Sequence, residues 1–239
     1  NNERTTSTAA REIFRQYADE QKDLTRAGYE RNVLEGLLRF TPIAPDLDGF
    51  VAFCEISASD IDRTISEQID YFNKELESRG FTRGETEAFM VYPLTMANPP
   101  AAWEPARTIE RVTTLAGIRH VVAVQEQVWN TPLPWLEKSL GDSLERTALF
   151  CAYDGSIPVG TAWIEFPHGS SFAELHGGAL LPSHRGRGLY SALFHARVAE
   201  ARLRRVPFLA VDATSMSRPI LLKKGFQHVC DTIPFRKKP

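Results

Sequence analysis

The sequence predicts an α/β fold of the α+β kind: a mixed, mostly antiparallel sheet with one parallel pair, preceded by a shorter N-terminal half. Three observations carry this. Strand-like runs at 148–153, 159–166 and 172–181 are separated only by the turns Asp154-Gly155-Ser156 and Pro167-His168-Gly169-Ser170, which makes an antiparallel meander. After Pro182 the apolar period changes to that of a helix, with Leu189, Leu193, Ala196 and Leu203 marking it before Pro207 stops it. Phe208-Leu209-Ala210-Val211 then reads as a strand covered on both faces. Strand, helix and strand in that order form a right-handed crossover with the outer two strands parallel.

Composition sets the frame. The chain has 239 residues with 28 Lys+Arg against 30 Asp+Glu, and 43% of its residues are hydrophobic. At this length roughly 70–75% of the unfolded surface can be buried, so folding needs neither a disulfide nor a metal. No run of eighteen apolar residues exists, which excludes a transmembrane helix. The first thirty residues carry Glu3, Glu12, Asp19, Glu20 and Asp23 and lack an apolar core, so no secretory leader is expected. Cys54, Cys151 and Cys230 are odd in number and widely spaced, which points to a reducing, cytoplasmic compartment. The six histidines show no ligand spacing, and no metal is expected. Near-neutrality hides an asymmetry: from Ser183 onward, twelve Lys/Arg face three acids, a net +9 that leaves −11 on the rest. Such a split suggests that the C-terminal quarter meets an anion.

Along the chain, an opening helix is predicted over 8–26, with Ile13, Phe14, Tyr17 and Leu24 on one stripe. Extended segments follow at 37–41 and 50–56. Ser59 and Asp62 form a capping box for a helix running through Ile61, Ile65, Ile69 and Phe72 to Gly80. A strand at 88–92 and a proline-rich linker at 93–105 close the first half, placing domains at 1–98 and 99–239. Beyond the linker come a strand at 108–112, a helix at 117–129 and a helical turn at 135–140. The chain closes with a short helix at 218–224, ended by Gly225, and a last strand at 226–235.

The chemistry concentrates in Leu181-Pro182-Ser183-His184-Arg185-Gly186-Arg187-Gly188-Leu189-Tyr190. Gly186 and Gly188 allow close backbone approach, and the turn runs straight into a helix N-terminus. Free amides and the positive end of the helix dipole point the same way there, which suits a phosphate group. Arg185 and Arg187 add charge. A P-loop is excluded because no Lys-Ser/Thr follows the glycines. A dinucleotide fold would place the turn after the first strand of a parallel sheet rather than after a meander. An arginine-glycine RNA-binding stretch would be repeated and unfolded, so a nucleic-acid partner is not expected.

This stretch resembles the signature of the GCN5-related N-acetyltransferases (the GNAT superfamily), Arg/Gln-x-x-Gly-x-Gly/Ala after a strand ending in a proline-containing turn. The order of elements from 108 to 235 matches as well, including Lys224-Gly225-Phe226 before the last strand. Gly80-Phe81 is similar to Gly225-Phe226, so 1–98 resembles the degenerate first half of tandem members. That half looks short: Asn73 runs directly into Lys74 where a strand is expected between two helices.

The resemblance implies a splayed parallel pair, 172–181 and 208–213, with acetyl-CoA as co-substrate between its strands. Its pantetheine would pair with Ala179, Leu180 and Leu181. Its diphosphate would sit on the turn and first helical residues, Arg185, Gly186, Arg187, Gly188, Leu189, Tyr190 and Ser191. The implied activity is an acyltransferase, an N-acetyltransferase acting by direct attack of a primary amine of a small or amino-acid-like molecule. Glu174 stands where histone-acetylating members keep their general base. His176 lies two residues on along the same strand face, and Glu165 is a third carboxylate nearby. Two departures bear on the leaving thiolate: Leu221 stands where many members have a tyrosine acid, and Thr214 where an asparagine is usual. Tyr190, Ser215 or water is then the proton source, or the chain is an acyl-CoA-binding regulatory module without turnover. The expected partners are the coenzyme A thioester and the amine, with no membrane, and a homodimer fits this reading.

Rival motifs fall away on context. Gly141-Asp142-Ser143-Leu144 spells an esterase motif but follows a helix, and no Asp-x-x-His exists to complete a triad. His176-Gly177-Gly178 is similar to a hydrolase oxyanion loop, yet no Gly-x-Ser-x-Gly accompanies it.

Overall fold

The computed structural model describes residues 8–23, 29–34, 37–43, 50–54, 63, 66–67, 70–71, 81–94 and 108–237. The chain divides into two units, one of 1–90 with 212–239 and one of 91–211. The elements in chain order are α1 (Thr8–Asp23), β1 (Tyr29–Leu34), β2 (Leu37–Pro42), β3 (Phe50–Cys54), β4 (Phe81–Arg83), β5 (Glu87–Pro93) and β6 (Ile109–Val112). Then come α2 (Leu115–Trp129), α3 (Leu136–Asp142), β7 (Thr147–Asp154), β8 (Ile157–Glu165) and β9 (Phe172–Leu180). The chain ends with α4 (Leu189–Leu203), β10 (Phe208–Ala213), α5 (Arg218–Lys223), β11 (Gln227–Thr232) and β12 (Phe235–Lys237).

In the first unit, β1, β2 and β3 form an antiparallel sheet with an irregularity at Leu38/Arg39. Leu38 and Phe40 are buried, and Tyr29 meets Phe40 edge-on at 6.1 Å. Strand β1 is a finding beyond the sequence reading. Its residues, Tyr-Glu-Arg-Asn-Val-Leu, are half polar and carry little apolar signal. The last strand also differs from expectation, because Ile233-Pro234 splits it into β11 and β12; proline has no N–H to continue a ladder. Strand β12 pairs with β4, and Gly84 N–H donates to Pro234 O at 2.7 Å. Of the helix predicted from Ser59 to Gly80, residues 63, 66–67 and 70–71 are described and helical. The Asn73–Lys74 junction and the linker from 95 to 105 lie outside the described residues.

The second unit carries the mixed, mostly antiparallel sheet. Within it, β6 pairs with β7, β7 with β8, and β8 with β9, all antiparallel, while β9 and β10 are parallel. Helices α2 and α3 cover one face through Ile118, Val121, Leu136 and Leu140, which pack on Val112, Leu149 and Cys151. Helix α4 also packs on β7, β8 and β9, and it buries Leu193, Phe194, Ala196, Val198 and Ala201. Burying each of the larger of these side chains is worth about 1.5–3 kcal/mol. Thr114 caps α2 by accepting from Gly117 N–H at 3.2 Å, and Asn130 ends it in the left-handed region. Buried Glu200 on α4 pairs with Arg111 and with Arg204, whose guanidinium lies 4.1 Å from the centre of the Phe166 ring. This fixes the far end of α4 and so the direction of its start.

The parallel pair opens early. Register runs Phe208↔Phe172, Leu209↔Ala173 and Ala210↔Glu174, and pairing stops there although β9 continues to Leu180. Beyond Glu174, β10 no longer pairs with that edge of β9, which runs on to Leu180.

Candidate functional site

At the end of β9, Leu181 N–H still donates to Val159 O on β8 at 2.9 Å. Pro182–His184 makes one 3-10 turn, and the chain reverses through Gly186 and Gly188 at φ of +76° and +78°. Only glycine adopts this backbone cheaply. A Cβ at either glycine would meet nothing within 4 Å, so the space above the turn is open. Arg185 N–H is used by Pro182 O, and Ala192 N–H by Gly188 O. The N–H groups of Gly186, Arg187, Gly188, Leu189 and Tyr190 meet no acceptor among the described residues. Five consecutive donors at a helix start, with α4 fifteen residues long behind them, constitute an anion-binding nest. The turn is held from below: Asp154 lies 3.1 Å from His184 Nε2 and 3.9 Å from Arg187, and Arg185 Nε donates to Leu180 O at 3.3 Å. Ser191 is the third residue of α4, in the same first turn, and Ala179 and Leu180 are buried at the strand end.

Strand β9 carries a bulge just before this point. Pairing with β8 shifts between Thr161↔Ala179 and Trp163↔His176. Gly177 sits at φ +59°, and a Cβ there would overlap the Trp163 ring. Gln125, on the buried stripe of α2, donates from Nε2 to Thr161 Oγ1 at 2.6 Å and to Gly177 O at 2.8 Å. Its Oε1 accepts from the Trp129 indole at 2.9 Å, and the Thr161 hydroxyl donates to Gly177 O at 2.9 Å. Sequence reading missed this network. Its signal was present, since Gln125 stands four residues after buried Val121 at a core position.

Glu174 and His176 lie together, His176 Nε2 3.5 Å from Glu174 Oε2. The Glu174 side chain is 16% exposed and that of His176 42%, and His176 stacks on Trp163 with centroids 6.4 Å apart. Glu165, opposite Glu174 in register, is bound to Arg146 at 2.8 Å. Tyr190 is placed elsewhere. Its ring lies over Gly178, whose Cβ would be 3.3 Å from Cε2 and 3.6 Å from the hydroxyl. Beside it is Arg197, fully buried, whose pKa is pushed down by desolvation and partly restored by Tyr190. Arg197 Nε donates to Leu193 O at 3.3 Å, while its Nη2 has no acceptor. In the other unit, Leu221 is a buried core residue, and Thr214 Oγ1 lies 3.2 Å from Ser217 Oγ. Among the described residues no group of three His, Cys, Asp or Glu could hold a metal, and no helix is long and apolar enough to cross a membrane.

A mixed sheet that parts along one parallel pair, with a glycine turn and bare helix start at the mouth, is a GNAT-like α/β fold. The sequence model of the Acetyltransferase (GNAT) family matches residues 115–226, and this part of the chain belongs to that family. The chain is similar in fold to a GCN5-related N-acetyltransferase from Kribbella flavida at 14% identity and TM-score 0.56, covering 98% of this chain and 96% of that one. It is also similar to a functionally unknown protein from Staphylococcus epidermidis, at 12% identity and TM-score 0.54 over 90% of this chain and 95% of the other. A predicted acetyltransferase with acetyl-CoA from Clostridium acetobutylicum aligns over 50% of this chain and 90% of its own, at 18% identity and TM-score 0.44. No curated protein sequence matches the chain.

Proposed function

We propose that the protein is an acetyl-CoA-dependent N-acetyltransferase acting on a primary amine of a small or amino-acid-like molecule. The observation that carries this reading is the row of five unsatisfied N–H groups from Gly186 to Tyr190, beside a strand edge left open beyond Glu174. The residues present fit coenzyme A: open space over two glycines, a dipole-backed nest for its diphosphate, and, past the Ala210↔Glu174 pair, a strand edge running on to Leu180 that β10 does not cover, for its amide-bearing arm. When bound, its thioester supplies the activated acetyl carbon.

The chain's own groups divide the remaining work. Glu174, with His176 beside it, takes the proton from the incoming ammonium so that the neutral amine attacks. Backbone N–H groups of the open β9 edge face the developing negative charge on oxygen. The Tyr190 hydroxyl, next to the Arg197 cation, is the proton source for the departing thiolate. On this reading 99–239 is the catalytic domain and 1–98 a degenerate half. Its partners are the thioester and the amine, and it works as a monomer or homodimer in a reducing cytoplasm.

One observation favours a second reading, an acyl-CoA-binding module without turnover. Leu221, at the position of the usual tyrosine acid, is a core side chain with no proton to give. Thiol release from acetyl-CoA across a panel of amines separates the two. Background from Cys151 and Cys230 is small, because burial pushes their thiols up to about 11 and about 12 and suppresses the reactive thiolate. Release that depends on, and saturates with, at least one amine supports the transferase. Saturable coenzyme binding with no release from any amine supports the module.

A further inference from the structure

We infer that Gln125 is a positioning residue for acyl transfer: it clamps the bulge in β9 that turns the strand's free edge into the gap beside β10. The inference rests on the transferase reading for its kinetic part and on geometry alone for its structural part.

Gln125 is 3% exposed and stands among Ile118, Val121 and Val124 on the buried side of α2, where an apolar residue would pack without cost. A primary amide desolvated at such a position is retained only if its hydrogen bonds are made. Here both ends are used. The amide N–H groups go to Thr161 Oγ1 and to the carbonyl of Gly177, and the amide oxygen takes the Trp129 indole N–H. The Gly177 carbonyl therefore accepts twice, from Gln125 and from the Thr161 hydroxyl. That residue is the one with φ +59°, at the place where the β8–β9 register slips. A bulge inserts one residue, and every residue beyond it changes the face and edge it presents.

The consequence lies downstream. With the bulge in place, Glu174 and His176 stay together on the stretch before it. Past it, Leu181 N–H bonds β8 while Leu180 O turns to the opposite, open edge and receives Arg185. If the bulge relaxed by one residue, Leu180 would turn its edge toward β8, and Arg185 and the Gly186–Tyr190 turn would lose their anchor. Among the described residues no other side chain of α2 bonds the β9 backbone, so the helix reaches the bulge through Gln125, directly and by way of the Thr161 hydroxyl.

The test compares wild type with Gln125→Met, which keeps the volume and removes both ends of the amide, and with Trp129→Phe, which removes only the indole donor at a position 56% exposed. Hydrogen exchange of residues 172–181 is measured together with coenzyme A affinity and steady-state kinetics. For Gln125→Met the expected result is exchange about tenfold faster around Gly177, and kcat lower by about 10–100-fold with coenzyme A Kd within about threefold. Trp129→Phe should show the same pattern at about threefold, and it keeps the test valid if the first variant does not fold. Unchanged exchange in both variants overturns the clamp. So does a kcat within twofold of wild type, or a loss of affinity that accounts for the whole loss of rate, which marks a structural residue only. If wild type itself releases no thiol, the transferase reading fails while the exchange measurement still decides the clamp.

Discussion

Glu174→Gln is expected to lower amine-dependent thiol release by about 10²–10³-fold and to leave coenzyme A affinity within about threefold. Glutamine matches glutamate in size, so register and packing on β9 are kept and only the proton acceptor is lost. The carboxylate is largely covered at 16% exposure, and His176 Nε2 lies 3.5 Å from its Oε2. Glu165 cannot replace it where it stands, because Arg146 holds that carboxylate at 2.8 Å. Raising the pH supplies the amine already neutral, so the deficit should shrink as pH approaches the amine's own pKa. A Glu174→Gln protein with wild-type kcat across that range would remove Glu174 from the reaction.

The second large effect is on stability. Gly177→Ala should lower unfolding free energy by about 2–5 kcal/mol and the melting temperature by roughly 5–15 °C. Two costs combine. A non-glycine residue at φ +59° is strained by about 1–2 kcal/mol, and its Cβ would overlap Trp163 Cζ3 and Cε3, well inside van der Waals contact. Trp163 cannot yield freely, since it packs on the α2–α3 core and stacks with His176. Gly178→Ala is the control next door: its φ is not positive, and its Cβ would be 3.3 Å from Tyr190 Cε2, so the change should cost under about 1 kcal/mol. Equal melting temperatures for the two variants would contradict the assigned bulge geometry.

The parts of this site that were legible in the sequence are those written locally. Arg185 to Tyr190 is one contiguous turn, and its glycines, basic residues and following helical period announce its backbone by themselves. The meander and crossover were equally readable, since each strand shows its own run and each turn its own residues. The opening between β9 and β10 required register, a property of two strands far apart in sequence, and came only through the family resemblance. The Gln125 clamp was invisible for the same reason: its partners are 36 and 52 residues away, and alone it is a polar residue on an apolar stripe. In the first unit, the half-polar β1 gave no period to read, and the return of β12 to β4 joins residues some 150 positions apart. The placement of Tyr190 over Gly178 was likewise unreadable, because a small residue on the strand is what admits the ring.

The claim on which the rest depends is that the backbone N–H groups of Gly186 to Tyr190 hold the diphosphate of coenzyme A. An amide-resolved NMR titration of the uniformly labelled protein tests it directly, with coenzyme A in one series and pantetheine, which lacks the phosphates, in the other. The account predicts large, saturable shifts of the amide resonances of residues 186–190 with coenzyme A, and none at those residues with pantetheine. Saturable binding of coenzyme A that leaves these five amides unmoved, or equal shifts with pantetheine, would contradict it.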